Sequence, residues 1–352
     1  MRLLPIPNRR HVWHRERRTR RSHQMSDGMN RRAFMVAFGA ASWLVCVVQG
    51  VAQQKVPKIG FLGHVAPNSG QREGFQEGLR ELGYVEGRTI LIEWRNTLGY
   101  EDELRPLASE LVQIAPDVIV TSSTPAARAA LEATKTIPVV FAAVGDPIAT
   151  GLVTNLARPE GNGTGVSLLS TELGVKRLDL LRQLAPRAHR VSYLVALANP
   201  SEAVRTKSVQ AAAHALGIKL DIYNATNVEE IDSALRAIPW KSTDGVLIGS
   251  DPIFQAEGAK ISEAVRTARV PAVFPWPDFH QYRVLMSYGP DLRKAASRAA
   301  YYVDKILRGA KPSDLPVEQI SQMDLVIDLR VARELGVKVP PELLFRADRV
   351  IN

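Results

Sequence analysis

A β-α-β segment with an internal signature occurs twice in this 352-residue chain, and the repetition restricts it to a small set of folds. The first copy reads Asp117-Val-Ile-Val-Thr-Ser-Ser-Thr-Pro125, passes through an Ala-rich helical stretch and resumes as Ile137-Pro-Val-Val-Phe-Ala142. The second reads Asp244-Gly-Val-Leu-Ile-Gly-Ser-Asp-Pro252, then a helical stretch, then Val270-Pro-Ala-Val-Phe-Pro275, with the same eight-residue step from Asp to Pro. The match extends upstream. Lys58-Ile-Gly-Phe-Leu-Gly63, a helix ending at Leu82-Gly83 and the strand Ile90-Leu-Ile-Glu-Trp94 are answered by Arg190-Val-Ser-Tyr-Leu-Val195, a helix ending at Leu216-Gly217 and Lys219-Leu-Asp-Ile-Tyr223. Each half reads β-α-β-α-β, and two alike lobes imply a clamp around one ligand. Chance recurrence within an ordinary doubly wound chain is the competing account.

The charge of the chain is concentrated at one end. Residues 1–52 hold ten Arg against Glu16 and Asp27, so +8 of the net +9 belongs to them. Asn30-Arg31-Arg32-Ala33-Phe34-Met35 followed by the apolar run Val36 to Val48 has the layout of a twin-arginine signal peptide over 29–52, cleaved after Ala52. The run is short for a membrane span of about 20 apolar residues, and an uncleaved anchor is the alternative. Residues 1–28 read as an extension upstream of a true start at Met25 or Met29. Cys46, the single cysteine, sits in the apolar run behind Trp43, Leu44 and Val45, which does not suit lipidation. After cleavage the chain would have neither disulfide nor thiolate ligand.

About 300 residues remain, enough for two domains. Their strands are short apolar runs, as expected where helices cover both faces of a parallel sheet. They are Ile59 to Leu62, Ile90 to Trp94, Val118 to Thr121, Val139 to Ala142, Val191 to Val195, Leu220 to Tyr223, Val246 to Ile248, Ala272 to Phe274 and Val284 to Ser287. Helices are expected at Gln71 to Leu82, Ser170 to Leu184, Glu202 to Leu216, Glu229 to Ile238, Asp291 to Leu307 and Leu329 to Leu335, with Thr124 as the N-cap before Pro125. Gly161-Asn-Gly-Thr-Gly165 and Tyr288-Gly-Pro290 read as hinges.

Ligand chemistry in such a fold belongs at the carboxyl ends of the strands. Thr121-Ser-Ser-Thr124 lies there, and Ser123 and Thr124 with the following helix N-terminus are expected to hold a carboxylate. Asp146, Asp251 and Asp278 each follow a strand, and Asp146 or Asp251 is expected to meet an ammonium group, although Asp-Pro is also an ordinary turn. Trp276, Phe279 and Phe254 offer cover for an apolar ligand part, and Asn199-Pro-Ser201 offers hydrogen bonds from Asn199 and Ser201. No dinucleotide fingerprint, Walker loop, His-Glu-x-x-His helix or Gly-x-Ser-x-Gly elbow occurs, and the histidines lack metal-ligand spacing. No catalytic residue, metal or cofactor is expected.

Thr124-Pro-Ala-Ala127, Ile137-Pro-Val-Val-Phe-Ala-Ala-Val-Gly-Asp-Pro147, Gly151-Leu-Val153, Gly161-Asn-Gly-Thr-Gly165, Asn199-Pro200 and Leu315-Pro-Val317 resemble the tryptophan/tyrosine-type substrate-binding proteins of ABC transporters. The resemblance covers roughly residues 57 to 345 and includes the closing segment Leu325-Val-Ile-Asp-Leu-Arg330 with Ala332-Arg-Glu-Leu-Gly336. It implies an α/β, type I periplasmic-binding-protein fold of two Rossmann-like lobes with parallel sheets joined by a hinge crossed three times. Lobe 1 would comprise 56–163 plus 287–312, and lobe 2 would comprise 166–284 plus 318–352. The loop His64-Val-Ala-Pro-Asn-Ser-Gly70 departs from the family pattern, and its Ser69 is a candidate ligand contact. The implied protein is a periplasmic, monomeric solute receptor that does no covalent chemistry. It would bind a small polar ligand, an amino acid or related compound, and deliver it to an ABC permease in the inner membrane, with no nucleic-acid partner. A ligand-sensing subunit and an exported α/β enzyme are the alternatives.

Overall fold

The computed structural model describes residues 55–64, 70–97, 99–168 and 170–352. The upstream extension, the signal peptide, Cys46 and Ser69 lie outside these residues.

From the first described residue the chain builds β1 (Lys58–Gly63), α1 (Gly70–Glu81), β2 (Leu91–Asn96), α2 (Leu104–Gln113), β3 (Val118–Thr121), α3 (Thr124–Ala133), β4 (Val139–Val144) and β5 (Gly163–Ser167). It then crosses to a second lobe with α4 (Ser170–Leu184), β6 (Arg190–Val195), α5 (Pro200–Ala215), β7 (Lys219–Asn224), α6 (Ile231–Ala237), β8 (Gly245–Ile248), α7 (Pro252–Ala256), α8 (Gly258–Ala268), β9 (Ala272–Phe274) and β10 (Met286–Gly289). It returns to the first lobe for α9 (Leu292–Leu307) and β11 (Glu318–Gln319). It ends in the second with β12 (Asp324–Asp328), α10 (Leu329–Leu335), α11 (Pro341–Arg346) and β13 (Arg349–Ile351).

The first sheet has the order β2-β1-β3-β4-β5-β11 and is parallel throughout. The second has the order β7-β6-β8-β9-β10-β12-β13, parallel up to β10 and then reversed, because β12 pairs antiparallel with β10. The first five strands of each lobe therefore follow one winding. The repeated Asp does the same work in both copies. The Asp117 carboxylate accepts the Lys58 N–H at 2.8 Å, and the Asp244 carboxylate accepts the His189 and Arg190 N–H groups at 2.8 and 2.9 Å, so each fixes the entry of the lobe's first strand.

Both faces of each sheet are covered, which explains the uninterrupted apolar strands. In lobe 1, Phe75 and Leu79 of α1 and Ala295, Ala299 and Val303 of α9 bury one face, while Leu104, Leu111, Ala126 and Ala130 of α2 and α3 bury the other. Helices α1 and α9 approach closely because Gly74 and Gly78 face the α9 backbone. A Cβ at Gly74 would lie 2.1 Å from the Arg293 carbonyl oxygen, and one at Gly78 2.5 Å from that of Ser297. In lobe 2, Leu178 and Leu181 of α4 with Val209 of α5 pack beneath Val191, Leu247 and Val273, and Ile231, Ile261 and Val265 cover the opposite face.

The crossings differ in position from those expected. Strand β5 pairs with β4, so the chain leaves lobe 1 after Ser167 rather than between 163 and 166. Strand β10 pairs with β9 and β12, which puts 287–289 in lobe 2, and β11 pairs with β5, which puts 318–319 in lobe 1. The glycines at 161–165 are not at a crossing. Gly165 has φ +133°, and a Cβ there would meet the Phe141 backbone at 2.3 Å, so it serves close strand contact. Ser123, not Thr124, caps α3: its backbone is extended and its Oγ accepts the Ala126 N–H, because Pro125 at the preceding helical position has none.

Candidate functional site

The carboxyl ends of β3 and β4 in lobe 1 face those of β6, β8 and β9 in lobe 2 across a cleft. In a sheet of this order the gap between the first strand and the third, β1 and β3 in lobe 1 and β6 and β8 in lobe 2, is the topological switch point, where ligands bind. Both lobes turn that point toward the cleft.

Lobe 1 contributes hydroxyls and backbone. Ser122, Ser123 and Thr124 extend from β3 into α3, Gly145 follows β4, and Gln71 reaches over from α1. The Ser122 Oγ accepts the His64 N–H at 2.8 Å, and the Thr124 Oγ1 accepts the Gly145 N–H at 2.9 Å. His64 itself is buried, and burial pushes its imidazole down to about 4, so it is neutral at physiological pH. The lobe 1 wall is uncharged.

Lobe 2 contributes charge. Arg177 of α4 and Arg205 of α5 line the cleft and are each 2% exposed. Arg205 donates to the Glu202 carboxylate at 2.5 Å, and the other Glu202 oxygen accepts the Tyr193 hydroxyl at 2.7 Å. The Ser250 N–H also donates to Glu202, at 2.8 Å. Burial, with Glu202 beside it, holds the Tyr193 hydroxyl well above its ordinary range. Arg177 is bound differently: its hydrogen-bond partners are the Tyr288 carbonyl at 2.8 Å, the Ser250 hydroxyl at 2.7 Å and the Pro275 carbonyl at 3.2 Å. None carries a negative charge. Burial pushes its guanidinium down to about 10, which leaves it protonated at neutral pH. Trp276 adds an apolar wall, stacked on Phe279 with centroids 5.9 Å apart.

The two walls touch. Thr124 Oγ1 and Ser201 Oγ lie 2.8 Å apart, and the Tyr100 hydroxyl donates to Glu229 at 3.0 Å, in each case joining lobe 1 to lobe 2. Near this contact burial, with the Asp251 charge beside it, raises the Glu101 carboxyl to about 7.

Among the residues expected to bind ligand, Ser123, Thr124, Asn199, Ser201 and Trp276 are brought together on the cleft. Asp278 lines an adjoining groove rather than the cleft. Asp146 is not on the cleft, and its carboxylate accepts the Ile148 and Ala149 N–H groups at 3.1 and 3.0 Å, closing its own turn. Asp251 is buried behind the wall: it caps α7 through the Ile253 N–H at 3.0 Å and accepts Asn199 Nδ2 at 2.7 Å. Burial raises its carboxyl to about 6. Phe254 is fully buried in the core.

Arg177, Arg205 and Gln71 escaped the sequence reading, although a signal for the arginines was present. Arg177 stands in register with Leu173, Leu181 and Leu184 on α4, and Arg205 with Val209 and Ala213 on α5, so each places a charge in an apolar stripe. Such a residue is buried for a reason other than packing. Among the described residues no cluster of three or more His, Cys, Asp or Glu could hold a metal ion, and no helix is long and apolar enough to cross a membrane.

Residues 58–351 match the model of the ABC transporter substrate-binding protein family. The chain belongs to that family. It is a substrate-binding protein rather than an enzyme, and its two lobes form the type I periplasmic-binding-protein fold. A tyrosine-binding protein of Clostridioides difficile (strain R20291) is 26% identical over 274 residues, 76% of each chain. A structure of an ABC domain in complex with L-Trp from Streptococcus pneumonia is 27% identical, with a TM-score of 0.77, over 84% of this chain and 99% of that one. The ligand-free, open structure of a substrate-binding protein with adhesive properties from Clostridium difficile is 26% identical, with a TM-score of 0.59, over 84% of this chain and 100% of that one.

Proposed function

We propose that this substrate-binding protein captures an amino acid, with an aromatic one favoured, in the interlobe cleft and presents the closed form to an ABC permease in the inner membrane. The observation that carries the ligand class is Arg177, a buried cation on the cleft wall whose hydrogen-bond partners are all neutral. A buried charge is unfavourable unless it is paired, and a ligand carboxylate arriving from the cleft supplies the pair. Ser123 and Thr124 at the start of α3 face the same cavity and add hydroxyl donors. Trp276 supplies a surface for an aromatic side chain. The relatives described as binding tyrosine and L-Trp support the same class.

The conformation reads as the closed one. At nearly equal identity and coverage the chain superposes better on the L-Trp complex than on the ligand-free open structure, and Thr124 meets Ser201 across the cleft. A ligand that contacts both walls only when they meet would shift the population toward this state.

Export follows from Arg31-Arg32, the apolar run and Gly50-Val-Ala52, giving a monomeric periplasmic protein that begins near Gln53. N-terminal sequencing of protein from the native host checks this, and residues 1–28 intact on a cytoplasmic protein would overturn it. Ligand class is tested by calorimetry of residues 53–352 with each of the common amino acids. L-Trp or L-Tyr is expected to bind at micromolar Kd or tighter, about −8 kcal/mol or better. No heat with any amino acid would sink the amino-acid reading.

A further inference from the structure

The cleft and the groove that adjoins it hold acceptors without donors. Gln71 Oε1, Gln255 Oε1 and Asp278 Oδ1 are all buried and all lack a hydrogen-bond partner. Their other polar atoms are engaged, which fixes which way each group points. Gln71 Nε2 donates to the Ser122 carbonyl at 3.3 Å, and Gln255 Nε2 donates to the second Asp278 oxygen. Gln71, only 3% exposed, and Gln255 line both the cleft and the groove that adjoins it, and Asp278 lines that groove.

A buried acceptor without a donor is unfavourable, and three from three elements line one groove. Gln71 comes from the first turn of α1 in lobe 1, Gln255 from α7 in lobe 2, and Asp278 from the turn that follows Trp276. The partner they call for has several N–H or O–H donors and a positive charge. A single carboxylate with two amide oxygens is a weak set for a divalent cation, which prefers more oxygens and more charge. A primary ammonium, with three donors on one centre, fits it. We propose that Gln71, Gln255 and Asp278 form the pole that receives the ammonium group of the cleft ligand, with Asp278 supplying the charge that selects for it.

The assignment rests on the reading of the cleft as an amino-acid site and completes it. Arg177 takes the carboxylate on the lobe 2 wall, and the acceptor pole lies where the cleft opens into the groove. Because Gln71 belongs to lobe 1 while Gln255 and Asp278 belong to lobe 2, the ammonium is held from both sides and its binding favours closure. Burial holds the Asp278 carboxyl above its ordinary range, with the Gln255 amide opposing, and an ammonium beside it would favour the carboxylate.

Calorimetry separates the pole from the ligand class. The probes are L-Trp, L-Tyr, the des-amino acids indolepropionate and hydroxyphenylpropionate, and the amines tryptamine and tyramine, each on the parent, Asp278→Asn and Gln71→Leu. Thermal melts confirm that the variants fold. Asp278→Asn is expected to weaken the amino acids by about tenfold or more while changing the des-amino acids by less than about threefold, as loss of one charged hydrogen bond requires. Gln71→Leu should show the same selectivity with a smaller loss. Equal loss on amino acids and des-amino acids, or no loss on either, overturns the pole and leaves the amino-acid reading standing. A parent that binds the amines but not the amino acids, and loses them in Asp278→Asn, keeps the pole and overturns that reading. A parent that binds only the des-amino acids overturns both.

Discussion

The two lobes share a winding and differ in the wall each presents to the cleft. Both run their first five strands in the same spatial order, and both use an Asp at the same repeat position to fix the first strand. The repeat then diverges at one position. Eight residues before each Pro stands the common Asp, and directly before each Pro stand Thr124 in lobe 1 and Asp251 in lobe 2. In lobe 1 the cap moves one residue earlier to Ser123, which leaves the Thr124 hydroxyl to meet Ser201 across the cleft. In lobe 2 the Asp keeps the capping role and turns inward to Asn199. Among the described residues lobe 1 thus offers a neutral wall, and lobe 2 a charged one organised by Glu202 around Arg205.

If that division holds, replacing Arg177 should produce the largest change. Arg177→Gln removes the uncompensated cation, and the affinity for L-Trp or L-Tyr, whichever the parent binds, should fall by about a hundredfold, the upper range for a charged hydrogen bond. Ser123→Ala on the opposite wall should cost only about threefold, because it removes a neutral donor. Calorimetry on the two variants ranks the walls, and a larger loss at Ser123 would reverse the comparison.

Closure is the next test. Thr124→Val keeps the shape of the side chain but removes the contact with Ser201 and leaves the Gly145 N–H without its acceptor. Affinity should drop by about tenfold, consistent with roughly 1 to 2 kcal/mol for a buried neutral hydrogen bond. Solution scattering should show less compaction at saturating ligand. Unchanged compaction would mean that the lobes meet through other contacts.

Much of the division was legible in the sequence and part of it was not. Apolar runs and glycine stops place the strands and most helices, because both faces of each sheet must be covered and the periodicity follows. Lobe membership near the hinge was not legible: Gly161-Asn-Gly-Thr-Gly165 reads as a hinge by composition, and only pairing with β4 makes Gly163–Ser167 a strand. Thr124, Asn199 and Ser201 are legible as cleft-lining residues because they sit at strand ends, where the fold dictates chemistry. The same rule singles out Asp146 and Asp251, which lie off the cleft and close a turn and cap a helix, since a carboxylate after a strand serves those roles equally well. Arg177 comes from the middle of a helix, outside the reach of that rule, and Gln71 joins the cleft only when α1 folds over β3.

Burial of Glu101, with the Asp251 charge acting on it, predicts how pH acts on the closed form. The Glu101 carboxyl is raised from its usual 4.5 to about 7, first by burial and then by Asp251. A carboxyl raised in the folded state binds its proton more tightly there than when unfolded. Its contribution is therefore favourable at low pH and lost as pH rises from about 4.5 through about 7. Glu101→Gln should melt higher than the parent at pH 8, by an amount on the order of 1 kcal/mol after solvent screening, and the difference should vanish below pH 4.5. A constant offset at every pH would show that the charge is not the cause.

The smallest effect is expected where the repeat seemed to offer most, at Asp251. Asp251→Asn keeps an oxygen for the Ile253 N–H and gives up the bond from Asn199 Nδ2, and Asn caps helices about as well as Asp. The carboxylate is off the cleft wall, so affinity for the ligand should change by less than about threefold, within ordinary context effects. Stability carries the sign. With its carboxyl raised from 3.8 to about 6, the parent loses stability as pH climbs through that window, and the variant, which cannot ionise there, does not. The melting temperature of the parent relative to the variant should accordingly fall between about pH 4 and pH 6 and level off above. An affinity loss of about thirtyfold or more, with that stability profile unchanged, would put Asp251 in contact with the ligand and move the charge that selects from Arg177 and Asp278 back to the repeat itself.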